Sequence, residues 1–183
     1  MLEIVAAIFS LASVLLTRQK NWSCWPMGIL GILVYAIVFY SSGLIWQCGL
    51  QMVFLVQSVI GWKNWKKYNN NFYTYPIEPL HVLYLISIST VSIFIAYHLS
   101  QIFAFSKLDI ITSLLSLYAN YLLIKKETLA WLVWIIVDIL MIWMLCLAYM
   151  WSSVVLYVLF LIIACVSFYE WSFNRNKRAM NPV

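Results

Sequence analysis

Charged side chains are scarce in this sequence: they make up 9% of 183 residues, against 65% hydrophobic. So few charges could not solvate the surface of a compact soluble domain of this length, which excludes that class and makes lipid the expected solvent. A cleavable signal pattern is lacking too. Met1-Leu2-Glu3-Ile4 enters the first apolar stretch with no basic n-region and no small-residue cleavage site, so this stretch is expected to stay as a helix. Cys24, Cys48, Cys146 and Cys165 show no CxxC or metal spacing, and they fall in or beside apolar runs, so they read as buried thiols. There is no Ser/His/Asp set, no HExxH, no Gly-rich phosphate loop and no metal cluster, which argues against an enzyme and against any cofactor. Nor is there an ATP-binding domain, so primary active transport by this chain alone is not expected.

What is present is a succession of apolar runs. A transmembrane helix needs roughly 20 apolar residues, fewer at the margin. Seven spans are read over Leu2 to Thr17, Trp25 to Ser41, Leu44 to Trp62, Leu80 to Leu99, Leu108 to Ile124, Leu129 to Met150 and Ser152 to Trp171. The first is the shortest, and the second and fifth follow at equal length. The net charge of +5 comes from dispersed basic residues that form no face for nucleic acid. If the first span starts outside, Arg18, Lys20, Lys63, Lys66, Lys67, Lys125, Lys126, Arg175, Lys177 and Arg178 all fall on the opposite side, and of 11 basic residues Lys107 alone does not. The positive-inside rule then predicts a periplasmic N-terminus and a cytoplasmic C-terminus. Trp22, Trp25, Trp62, Trp65, Trp131 and Trp171 cluster at the predicted inner interface, where they are expected to anchor the helices at headgroup level.

A shift of 106 residues aligns Glu3 with Asp109, Ser10 with Ser116 and Lys20 with Lys126. A three-residue slip then aligns Trp22-x-x-Trp25 with Trp131-x-x-Trp134 and Tyr40 with Tyr149. With the slip reversed, Phe54 and Trp65 align with Phe160 and Trp171. The repeating unit is three helices, and a single linker helix gives both units the same orientation. The expected organisation is therefore all-α with seven transmembrane helices as a 3+1+3 parallel repeat: residues 1–65, a cytoplasmic loop and linker helix within 66–105, residues 106–172, and a basic cytoplasmic tail at 173–183. His81 and His98 near the ends of the linker helix read as interfacial groups. An interface between two such bundles is a natural place for a solute site that opens alternately to either side.

Asp138 is the one acid well inside a span. A carboxylate there should face a cavity, be paired or be protonated; the competing reading is a structural hydrogen bond between helices. Trp134 lies four residues earlier and Met141 three later on the same helical face, so an aromatic plane and a carboxylate can meet one ligand. The third span supplies Gln47, Gln51 and Ser58 near one face, with Gln57 displaced from it. These amides serve either as interhelical glue or as hydrogen-bond partners for a polar heterocycle or sugar. Ser113, Ser116 and Asn120 in the fifth span, with Tyr35, Tyr40 and Tyr149, complete the candidates. An aromatic box with one acid suits a flat cation.

Four segments carry a family resemblance: Asn21-Trp22-Ser23-Cys24-Trp25-Pro26-Met27-Gly28, Gly61-Trp62-Lys63-Asn64-Trp65, Trp131-Leu132-Val133-Trp134-Ile135 with Asp138, and Tyr169-Glu170-Trp171. In these the chain resembles the PnuC family of bacterial B-vitamin transporters over nearly its whole length. It departs from the pattern at Ser167-Phe168, where the first repeat has Gly61-Trp62, and at Ala130, where an Asn often precedes the Trp. The resemblance implies an architecture related to the SWEET sugar transporters, an inner-membrane location, and facilitated diffusion of a vitamin that is trapped by intracellular phosphorylation. Members of the family carry nicotinamide riboside, thiamine or riboflavin. Nicotinamide riboside is the expected ligand and thiamine the runner-up, because both carry a flat cationic ring. Trp134, Asp138, Gln51, Gln47, Tyr35 and Asn120 are the expected substrate-binding residues. The expected partners are the vitamin and the lipid bilayer, with self-association left open. The rival from another class is a non-transporting membrane subunit whose polar residues serve only helix packing.

Overall fold

The computed structural model describes the backbone of residues 2–41, 45–67 and 107–179, together with Ser87, Thr90, Val91, Tyr97 and His98. Six helices occupy the continuous stretches: α1 (Leu2–Arg18), α2 (Cys24–Ser41), α3 (Ile45–Lys67), α4 (Lys107–Ile124), α5 (Leu129–Leu147) and α6 (Trp151–Ala179). Most of the helix expected over 80–99, with His81, lies outside the described residues, although the five residues described there are helical. Among the described residues, α2, α4, α5 and the Trp151–Phe173 part of α6 are long and apolar enough to cross a membrane. Three bounds differ by three residues or more from the sequence expectation. Helix α5 ends at Leu147, three residues short of the expected Met150, because the chain turns at Tyr149 with a left-handed φ of 57°. Helix α3 continues five residues past Trp62, because Lys63, Asn64, Lys66 and Lys67 stay exposed while Trp65 turns inward. Helix α6 runs on through 173–179, into the segment expected as a tail.

The chain divides into two compact units, Met1–Tyr73 and Thr74–Val183. In the first, α2 packs against both α1 and α3. Small side chains let α1 and α2 approach closely: a Cβ at Gly28 would come within 3.0 Å of Ser13 Oγ, and one at Gly31 within 3.0 Å of Ser10 Oγ. The Ser13 hydroxyl donates across this contact to the Cys24 carbonyl at 2.8 Å. In the second unit α5 packs against both α4 and α6. Its lipid-suited side is plain: Ile136, Ile139, Trp143 and Leu147 are exposed large apolar side chains on one face.

The connection between the first two helices repeats atom for atom between the fourth and fifth. Lys20 takes a left-handed φ of 61° and Lys126 one of 63°. Asn21 N–H donates to Leu16 C=O and Glu127 N–H to Leu122 C=O, both at 3.0 Å. Lys20 N–H reaches Thr17 C=O and Lys126 N–H reaches Leu123 C=O, both at 2.9 Å. This pair of bonds is the Schellman ending, which satisfies the last carbonyls of a helix through one left-handed residue. A third copy ends α5, with Tyr149 at φ 57° and Met150 N–H on Leu145 C=O.

Candidate functional site

Each unit holds one pair of perpendicular indoles. Trp25 and Trp65 meet edge to face with centroids 5.5 Å apart and an interplanar angle of 86°; Trp131 and Trp171 do so at 5.5 Å and 84°. Trp131 follows Trp25, and Trp171 follows Trp65, by the same 106 residues that separate Lys20 from Lys126. The three-residue slip read from the sequence is therefore not made by the backbone: the turn and the tryptophan pair stay in one register, and Trp25 corresponds to Trp131. Matching WxxW to WxxW produces the slip, whereas the structural counterpart of Trp134 is Gly28.

The same pairs correct the headgroup reading of these tryptophans. Trp65 is 1% exposed and Trp171 0%, so their rings are packed inside the units. The Trp25 ring lies so close over Gly61 that a Cβ there would run into it. Trp22 and Trp62 keep partly open positions, and Lys66 Nζ lies 5.6 Å above the Trp22 ring. The exposed tryptophans among the described residues are instead Trp143 and Trp151, at the C-terminal end of α5 and the start of α6, the end away from Lys125 and Lys126.

The candidate residues of the second unit sit on the packed side of α5. Asp138 is buried, 3% exposed, and no hydrogen-bond or ion-pair partner for its carboxylate occurs among the described residues. Trp134 stands one turn before it and is half-buried, and Met141 is half-buried one turn after. A helical turn that presents an indole and a buried carboxylate side by side can bind a cationic aromatic ring through both its face and its charge. Asn120 on α4 is half-buried and already engaged in an interaction. Ser116 is likewise spent, its hydroxyl donating to Thr112 C=O at 2.7 Å.

In the first unit Tyr35 is half-buried and stacked on Phe39 at 5.8 Å. Gln47 and Gln51 on α3 are half-buried, and Ser58 is buried on the same helix. Tyr40 and Tyr149 are exposed. A furrow of about 390 Å³ lies along the other side of α5, lined by Ile139, Ile142, Trp143, Cys146 and Leu147; its apolar lining suits acyl chains and offers a polar ligand nothing. Among the described residues there is no group of three His, Cys, Asp or Glu side chains that could hold a metal. The tryptophan pairs and the polar turn before α5 were missed from sequence. The constant spacing of 106 between Trp25 and Trp131 was the available signal.

A family model described as nicotinamide mononucleotide transporter matches residues 1–173. Among solved structures, the crystal structure of the vitamin B3 transporter PnuC is similar to this chain with a TM-score of 0.79 at 21% identity, covering 93% of this chain and 80% of that one. At that identity the likeness establishes a shared fold. No curated protein matches. The family expected from the tryptophan-rich segments is thus the one found, and a model that covers residues 1–173 places it: the chain belongs to the nicotinamide mononucleotide transporter family, the PnuC family, and is a multi-pass membrane transporter.

Proposed function

We propose that the chain carries nicotinamide riboside across the bacterial inner membrane by facilitated diffusion, with intracellular phosphorylation trapping the vitamin. The observation that supports this most is the buried Asp138, which has no partner among the described residues, beside Trp134 on α5: a buried carboxylate is stabilised by a cationic ligand, and nicotinamide riboside brings a flat cationic ring. Thiamine, which also carries a cationic ring, is the second reading, and riboflavin, being neutral, the third. The proposed substrate-binding residues are Trp134, Asp138, Gln51, Gln47, Tyr35 and Asn120. The proposed architecture is the 3+1+3 parallel repeat of 1–65 and 106–172, with a linker helix within 66–105, a periplasmic N-terminus and a cytoplasmic C-terminus. The repeated turn at Lys20 and Lys126 and the repeated tryptophan pair support it. Titration of the purified protein with nicotinamide riboside, thiamine and riboflavin tests the substrate. Tightest binding of the riboside is expected; binding of thiamine without the riboside reverses the order.

A further inference from the structure

Two polar atoms at the start of α5 are buried without a hydrogen-bond partner: the Thr128 hydroxyl oxygen and Trp131 Nε1. The residues are 3% and 2% exposed. Buried polar groups are nearly always satisfied, so two orphans within one helical turn point to a partner outside the described residues, and a ligand is one such partner. Thr128 occupies the N-cap of α5, yet its hydroxyl makes no capping bond. The Trp131 ring is held by Trp171, which leaves its N–H as what it can offer a ligand.

Position on the helix connects these atoms to Asp138. Trp131 stands about 4.5 Å along the axis from Thr128, and Trp134 and Asp138 follow three and seven residues later on the same side of α5. Between Trp131 and Asp138 the rise is about 10 Å, the scale of a nucleoside rather than of a lone ring. We propose that Thr128 and Trp131 form a hydroxyl subsite, which holds the sugar of a nucleoside ligand whose cationic ring lies against Trp134 and Asp138. The proposal rests on the transport reading above and names how the sugar is recognised.

One ligand hydroxyl satisfies both orphans, accepting from Trp131 Nε1–H and donating to Thr128 Oγ1. The neighbouring Lys126 and Glu127 are both buried in the same turn. Their charges are opposite, so the turn offers no net field for a phosphate and suits a neutral hydroxyl. Both orphan atoms are closed off from solvent, so the ligand reaches them when the turn before α5 opens.

The test titrates the full-length protein, T128V, T128S and W131F with nicotinamide riboside, its 2′- and 3′-deoxy analogues, and 1-methylnicotinamide, which keeps the cationic ring without the sugar. T128V and W131F are each expected to weaken the riboside roughly tenfold, T128S to restore it, and none of the three to change 1-methylnicotinamide binding. The deoxy analogue that lacks the contacted hydroxyl should bind the parent and T128V alike. Parent-like riboside binding by T128V and W131F that melt like the parent overturns the subsite alone, as does equal weakening of the sugar-free ligand. A parent that binds no riboside overturns the substrate reading and the subsite with it.

Discussion

Trp134 and Asp138 are expected to act on one ligand together, the first through its π face and the second through its charge. Trp134→Leu removes the face and should weaken nicotinamide riboside by about 1 to 2 kcal/mol, or roughly five- to thirtyfold, in a titration of the purified variant. Asp138→Asn keeps the shape and deletes the charge, so the cationic riboside should lose about tenfold or more while neutral riboflavin loses far less. Equal loss for both ligands would make Asp138 a packing residue. Trp65 and Trp171 belong to a different category of residue. Both are buried edge-to-face partners, so Trp65→Leu and Trp171→Leu should each cost about 2 to 3 kcal/mol of stability through the cavity and the lost ring contact. Thermal melts in detergent check this, with the expectation that a Trp65→Leu variant which remains folded binds ligand as the parent does. The pairing of Trp134 with Asp138 was legible because spacing by four on a helix fixes a shared face. The burial of Trp65 was not, because a tryptophan among lysines reads equally well as a headgroup anchor, and only the packing against Trp25 decides.

Helices end here on left-handed residues that are not glycine. Lys20, Lys126 and Tyr149 all take positive φ, a conformation that costs an ordinary residue roughly 1 kcal/mol or more. Tyr149 is the cleanest place to measure that cost, since its side chain is 79% exposed. Tyr149→Gly should raise the melting temperature in detergent by the equivalent of about 1 kcal/mol, and a lowered one would show that the ring contributes more than the strain costs. These turns explain why the sequence yielded six helix positions more readily than the joints between them. Apolar runs mark α1, α2 and α4 to within about one residue and α5 to within about three, but a Schellman ending at Lys carries none of the glycine signal that usually announces it. Helix α3 ran past its expected end for a related reason: Lys63, Lys66 and Lys67 look like a loop by charge, while their helical spacing leaves Trp65 on the buried face.

Across the whole molecule, the register of the repeat is what sequence comparison left ambiguous and backbone geometry resolved. Two turns, two tryptophan pairs and three pairs of helices recur at a spacing of 106, and the departures from symmetry then become informative. Gly28 lies over Ser13 where the second unit has Trp134, and Ile32 stands where it has Asp138, so the aromatic and the acid proposed for ligand binding belong to the second unit alone. Sidedness has its own test. In a chain cleared of native cysteines, a membrane-impermeant thiol reagent applied to intact cells should label a cysteine at Met150 and spare one at Lys63, both exposed positions; the reverse pattern contradicts the proposed orientation. The central claim, that this chain by itself passes a vitamin down its gradient, is tested most directly in proteoliposomes that contain only the purified protein and no ATP. Uptake of labelled nicotinamide riboside should rise in proportion to protein, be competed by unlabelled riboside, and fall in Trp134→Leu and Asp138→Asn. Uptake no faster than in protein-free liposomes would contradict the account and leave the buried polar groups to helix packing.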